Sequence, residues 1–235
     1  MIVFVPIAMR LASADASSRE RACLVVLCSL GLYLVKVLHS PSEFTLHDEL
    51  SHWRTADDIA RSHHLFGFNP LLPISALYPG LEIATNALMS MGGLSIFASG
   101  VLLLGVAKAL LALGLFAFYE QVTNSARLAG LAALLYMANP SFLFFDGQYA
   151  YESLALPLAA FTLVAVAKRG ACTGATVGWT VAGIVGLVAT ITTHHLTGLM
   201  LTVFLTTWTL THAYTTRFTE FRRGPGPVSY THLRA

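Results

Sequence analysis

Leu94-Ser-Ile-Phe-Ala-Ser-Gly-Val-Leu-Leu-Leu-Gly-Val-Ala-Lys-Ala-Leu-Leu-Ala-Leu-Gly-Leu-Phe-Ala-Phe-Tyr119 holds a single charged side chain, Lys108. A helix needs about 20 consecutive apolar residues to cross the hydrocarbon core of a bilayer, and this stretch is longer. It therefore reads as a membrane span. The rest of the chain agrees: of 235 residues, 55% are hydrophobic and only 11% charged, with a mean hydropathy of +0.66. A water-soluble domain carries roughly 25% charged residues. The expected fold is all-α, a polytopic transmembrane helix bundle of about six spans.

Working outward, Ala22–Leu38 is the first span, with Lys36 snorkelling at its end. The Met1–Met9 run is too short to span, is broken by Pro6, and lacks a signal-peptide cleavage pattern. Leu94–Tyr119 is the second span and Leu128–Phe145 the third, with Asn139-Pro140 breaking it near its end. Ser153–Ala167 gives the fourth. The run Thr176–Tyr214 is too long for one helix and divides at Thr193-His-His-Leu-Thr-Gly198 into spans five and six. Residues 39–93 form a long polar loop with two amphipathic surface helices. One covers about His47–His63, with Leu50, Trp53 and Ala60 on a face. The other follows Tyr78-Pro79-Gly80, with Leu81, Ala84, Leu88 and Met91 at helical spacing, and ends at Gly92-Gly93.

Charge sets the orientation, since Lys and Arg prefer cytoplasmic loops. An internal N-terminus puts Arg10, Arg19, Arg21, Arg127, Lys168, Arg169, Arg217, Arg222 and Arg223 in the cytoplasm. The 39–93 loop, the 146–152 turn and His194-His195 then share the outer face. The net charge of +2, with its basic residues dispersed, argues against a nucleic-acid partner. Cys23, Cys28 and Cys172 lie in or beside apolar runs or short basic loops, so no disulfide framework is implied.

Acidic and imidazole side chains concentrate in Phe44–His64. Such groups move protons and hold metals near neutral pH. Asp48-Glu49 followed by His52 one turn later, at the start of the first outer loop, resembles a feature of the GT-C glycosyltransferases, the group of protein O-mannosyltransferases and aminoarabinose transferases. Tyr78-Pro79-Gly80-Leu81-Glu82, Phe144-Phe145-Asp146 and Glu152-Ser-Leu-Ala-Leu-Pro157 extend the similarity over roughly residues 20–215. The resemblance implies transfer of a sugar from a polyprenyl-phosphate carrier, in the membrane, to an acceptor on the non-cytoplasmic face of a cell envelope. It makes Asp48 the catalytic base and Glu49 its companion.

His52, Asp146, Gln148, Tyr149, Glu152, His194, His195 and Lys108 are the candidate substrate-binding residues. A divalent metal is a candidate cofactor, with Asp48, Glu49 and His195 its candidate ligands. Each residue also has a plainer reading. Asp48 can cap a helix with Glu49 solvated in its first turn. Asp146-Gly is a turn signal, and Tyr149 and Tyr151 belong at a membrane interface. His194-His195 can be a polar helix–helix contact, with at most one imidazole facing a site. Lys108 needs a cavity or a partner, Glu82 or another carboxylate or a lipid phosphate, unless it snorkels. Asp57, Asp58, Arg54 and Arg61 form a wet helix face closed by i,i+3 or i,i+4 ion pairs, and His63-His64 is a solvated loop pair. Gly178, Gly183 and Gly186 read as close helix packing. The rival function is a transporter or flippase with Lys108, Glu152 and the histidines along a path, although no internal repeat supports it. A non-catalytic docking protein would keep the polar clusters apart.

Gly224-Pro-Gly-Pro227 and the following Val228–Ala235 differ abruptly from residues 1–223. They resemble translated sequencing-adapter read-through. The expectation is that 224–235 is a non-native tail and that the natural protein continues, this chain being its N-terminal part.

Overall fold

The computed structural model describes residues 4–171, 174 and 176–223; side chains are described as far as residue 215. Cys172, the side chains of Arg217, Arg222 and Arg223, and the 224–235 tail thus lie outside the described residues. The described residues are 81% helical, with no strand among them. The helices are α1 (Phe4–Ala12), α2 (Ser18–His39), α3 (His47–Ser62), α4 (Gly80–Gly92), α5 (Ile96–Thr123), α6 (Ala126–Met137), α7 (Pro140–Leu143), α8 (Tyr151–Ala171), α9 (Thr176–Thr193) and α10 (His195–Arg223). A 3₁₀ turn, Pro73–Leu77, lies between α3 and α4. The chain divides into two compact units, residues 1–198 and 199–235. In the second, the helix carries hydroxyls folded back on its own carbonyls, such as Thr207 Oγ1 donating to Val203 O at 2.9 Å.

Among the described residues, four helices are long and apolar enough to cross a membrane: α2, α5, α8 and α9. That is fewer than the six expected. The stretch Leu128–Phe145 is not one helix. Asn139 leaves the helical conformation, its side chain accepts from Ser141 N at 3.0 Å, and Pro140 starts a new turn. At about 1.5 Å per residue α6 rises only about 18 Å, against a hydrocarbon core of about 30 Å. α10, which holds the expected sixth span, is not among the four.

In the first unit α5 and α8 run parallel to each other, Gly100 facing Tyr149 and Gly114 facing Ala160, and both run antiparallel to α2 and α9. Ser18 Oγ donates to Glu120 Oε1 at 2.7 Å, joining the start of α2 to the end of α5. Tyr33 Oη donates to Val101 O at 2.9 Å, joining the end of α2 to the start of α5. Arg169 Nε donates to Thr180 Oγ1 at 2.9 Å, joining the end of α8 to the start of α9. One end of this unit therefore gathers Arg10, Arg19, Arg21, Arg127, Lys168 and Arg169. The other collects the end of α2, the 39–93 loop, the starts of α5 and α8, and the end of α9. Gly183 faces Val166 and Ala165 of α8, and Gly186 faces Thr162; Gly178 meets nothing within 4 Å. Two apolar cores follow. Leu11, Val25, Leu111, Phe116, Ala133 and Phe142 pack in one, and Tyr33, Phe44, Leu81, Leu104, Tyr149 and Tyr151 in the other.

The surface helices have the expected bounds, but their buried faces are the polar ones. α3 buries Glu49, Ser51, His52, Thr55 and Ala56, while Leu50 and Trp53 are exposed. α4 buries Leu81, Glu82 and Thr85, while Met91 is 87% exposed. Gly93 closes α4 at φ 63, the left-handed cap that glycine adopts without strain. On the wet side of α3, Arg61–Asp57 at 2.8 Å and Arg54–Asp58 at 3.7 Å form the expected i,i+4 pairs, and His63 and His64 are exposed.

Candidate functional site

α3 begins where the chain leaves α2, and its first turn sends two consecutive carboxylates opposite ways. Asp48 is 54% exposed at the side chain, with His47 Nδ1 3.6 Å away. Glu49 is wholly buried and accepts from every side. One oxygen takes the Lys36 ammonium and the backbone N–H of Tyr149 (3.1 Å). The other takes the backbone N–H groups of Thr45 and Leu46, each at 3.2 Å. Glu49, not Asp48, thus caps α3, reaching back to amides that the helix leaves unpaired. Lys36 does not snorkel free; its charge is used here.

The same segment explains Lys108. Between α6 and α8 the backbone is irregular and residues 146–150 are buried. Irregular backbone at membrane depth is tolerated only where protein or a cavity satisfies its polar groups. Lys108 Nζ donates to Phe142 O and lies 3.6 Å above the Phe142 ring, while Ser153 Oγ donates to Phe145 O at 3.3 Å. Lys108 is therefore not snorkelling, and its partner is a carbonyl left by the broken helix. Tyr149, fully buried, stacks on Phe44 at 4.5 Å and donates its hydroxyl to Thr85 Oγ1 at 2.9 Å. Gly100 admits this ring, since a Cβ there would lie 2.8 Å from it.

A cavity of about 430 Å³ opens beside this tie. Its walls are Asp48 and His52 from α3, Leu72 from the loop, Asp146 and Ala150 from the turn, Tyr151, Glu152 and Leu156 from α8, and His194 and Leu196 after α9. Three polar clusters far apart in the chain meet here. Aromatic contacts hold them together: the Tyr151 ring meets His52 edge-on at 4.4 Å and stacks on His194 at 4.3 Å. Beneath the wall, His52 Nδ1 lies 2.7 Å from Glu82 Oε1.

Burial pushes the Asp146 carboxyl above the usual carboxylate range, against the pull of the Lys108 charge and of the Tyr136 hydroxyl, which donates to it at 3.4 Å. Burial, with His195 and His52 adding to it, pushes His194 down to about 4, so its imidazole is neutral at physiological pH. Its Nδ1 lies 2.8 Å from Thr197 Oγ1. Burial also raises the Tyr149 phenol, which keeps its proton.

Of the residues singled out in the sequence, Asp48, His52, Asp146, Glu152 and His194 share the cavity. Glu49, Lys108, Gln148, Tyr149 and His195 do not line it. Gln148 is buried in the turn, and His195 packs on Tyr78 at 5.0 Å with its Nδ1 buried and unpartnered. Of the two adjacent imidazoles, the one facing the cavity is His194. The metal trio Asp48, Glu49 and His195 does not assemble, because Glu49 faces Lys36 and backbone amides. Among the described residues, no group of three or more His, Cys, Asp or Glu is placed to hold a metal ion. No family model, curated protein or solved structure matches the chain.

The sequence reading missed two partners. Glu82 stood out as the end of Tyr78-Pro-Gly-Leu-Glu and as a candidate partner of Lys108, and nothing local tied it to His52. Lys36 was read as an interfacial anchor, although a lysine ending a span a dozen residues before an acidic pair was a usable signal.

Proposed function

We propose that the protein is an integral membrane glycosyltransferase, or its N-terminal part, that moves a sugar from a polyprenyl-phosphate carrier to an acceptor hydroxyl outside the cytoplasm. One observation carries this reading. Carboxylates from two separated segments, Asp48 from α3 and Asp146 with Glu152 from the 146–152 turn, line one cavity together with His194 from a third, at the end of the helices opposite to the basic residues. By the charge rule the basic end is cytoplasmic and the cavity outside. Glycosyl transfer passes through a transition state with positive charge on the sugar ring, and carboxylates aimed at that charge lower the barrier. Tyr151 lines the same cavity, its ring held by His52 and His194. Asp48, at the mouth, engages the incoming hydroxyl; Asp146 and Glu152 meet the sugar deeper inside.

A transporter would need Lys108 to line a path, and it is instead sealed against Phe142. Membranes carrying the chain, given radiolabelled polyprenyl-phosphate mannose or glucose and envelope extract, are expected to release polyprenyl phosphate and to label the extract. Asp48→Asn at equal expression should cut transfer on the order of a hundredfold or more. Undiminished transfer in that variant removes Asp48 from the chemistry.

A further inference from the structure

We infer that the proton leaving the acceptor hydroxyl goes to His52, and that Glu82 is the residue that positions His52 for this task; the inference rests on the glycosyltransferase reading above. Three observations carry it. The His52 side chain is 2% exposed and that of Glu82 not at all, with Nδ1 2.7 Å from Oε1. His52 lines the cavity while Glu82 lies behind it. Tyr151 fixes the ring edge-on at 4.4 Å.

A carboxylate facing Nδ1 accepts the proton carried there and so selects one tautomer, leaving the Nε2 lone pair for the cavity. Asp48, one helical turn earlier on the same face, is half in water. His52 is instead enclosed, and the carboxylate behind its Nδ1 holds the ring in one orientation toward an incoming hydroxyl. Glu82 Oε2 is buried with no partner, so this carboxylate has one imidazole as its counterpart and holds its second acceptor in reserve. That is a costly arrangement unless the neighbour takes up positive charge at some stage. The other ionisable groups facing His52 are Asp48, Tyr151, Glu152 and His194.

The step balances without a further reactant. The hydroxyl proton passes to His52 Nε2, the oxygen lone pair forms the bond to C1 of the sugar, and the C1–O bond breaks with its electron pair leaving on polyprenyl phosphate. Glu82 stabilises the imidazolium until it loses the proton to water.

The test has two arms on the full chain in lipid nanodiscs. Diethyl pyrocarbonate, read by peptide mass, is expected to modify His52 at a rate that Glu82→Gln slows relative to exposed His63. In the transfer assay, with polyprenyl-phosphate mannose or glucose as probe, His52→Ala should lose on the order of 10²–10⁴-fold in rate and recover part of it with added imidazole. Glu82→Gln should lower kcat with KM unchanged. Transfer that survives His52→Ala overturns the inference. So does a loss that imidazole does not relieve in a variant melting like wild type. Where His52→Ala fails to fold, labelling decides: His63 reacting while His52 stays untouched overturns it. A labelled His52 with no transfer from either donor sinks the glycosyltransferase reading instead, and transfer with an unlabelled His52 sinks only this inference.

Discussion

Asp48 and Glu49 are neighbours in sequence and opposites in the fold. Asp48 sits half in water at the mouth of a cavity. Glu49, one residue on, is sealed from solvent and saturated by Lys36 and three backbone amides. A buried carboxylate with all its acceptors filled has nothing left to offer a substrate, and its worth is architectural. A partly hydrated one at a cavity contributes little to stability and stays available. The end of the bundle is thus two regions side by side. A dry tie, formed by Glu49, Lys36, Lys108 and Tyr149, fixes the irregular turn. An open pocket, lined by Asp48, His52, Asp146, Glu152 and His194, is the part left free to react.

If that division holds, the largest loss of stability follows Glu49→Ala. It strands the Lys36 charge and leaves the Tyr149 amide unpaired in a buried place. Removing one partner of a buried ion pair costs about 3–5 kcal/mol. The variant should express poorly or melt far below wild type in detergent. A melting temperature within a degree of wild type would break the comparison at its root.

The pocket side is sharpened by acid. His194 is held neutral down to about pH 4, against an ordinary value of 6.5. The unfolded chain takes up this proton from about pH 6.5 downward and the folded chain does not. Stability from this group is therefore complete above pH 6.5 and is lost as the pH falls from 6.5 toward 4. At about 1.4 kcal/mol per pK unit the loss is of order 2–3 kcal/mol. The raised Asp146 carboxyl acts in the opposite sense, so the comparison is made against His194→Gln, which should flatten the acid slope of thermal melts. An unchanged slope would mean that His194 is not held dry.

Lys108→Met keeps the length of the side chain and removes the donor to Phe142 O. A buried carbonyl left unpaired costs about 1–3 kcal/mol, a smaller effect than at Glu49 because one bond is lost rather than a charge pair. Limited proteolysis at the turn 144–150 should quicken with it. Equal melting and equal proteolysis would place Lys108 outside the tie.

The fold was legible where composition suffices. Ala22–Leu38 and Ser153–Ala167 fall inside observed helices, Leu94–Tyr119 does so from Ile96 onward, and Pro79-Gly80 and Gly92-Gly93 mark the ends of α4. The stretch Leu128–Phe145 was misread because an apolar run has the same composition whether continuous or broken; Asn139-Pro140 showed the break but not that the helix before it stops short. The buried faces of α3 and α4 were misread for a related reason. Helical spacing marks a face but not what covers it, and Leu50, Trp53 and Met91 turn out while Glu49, His52 and Glu82 turn in. The meeting of the three polar clusters followed from alternation of the spans. The pairing of Glu49 with Lys36 and of His52 with Glu82 did not, since side chains joined by tertiary contact leave no periodic trace.

The smallest expected effect is the sharpest cut between the two regions. Asp48→Asn changes a side chain that is 54% exposed and whose nearest ionic neighbour, His47, is 81% exposed. Screened by water, such a pair contributes little, and surface substitutions of this kind move stability by about 0.5 kcal/mol or less. The melting temperature should therefore match wild type while transfer collapses. Loss of transfer together with a lowered melting temperature would show that Asp48 belongs to the same scaffold as Glu49. Retained stability with lost transfer would show that adjacent carboxylates on one helical turn carry separate tasks, one holding the turn in place and the other meeting the acceptor.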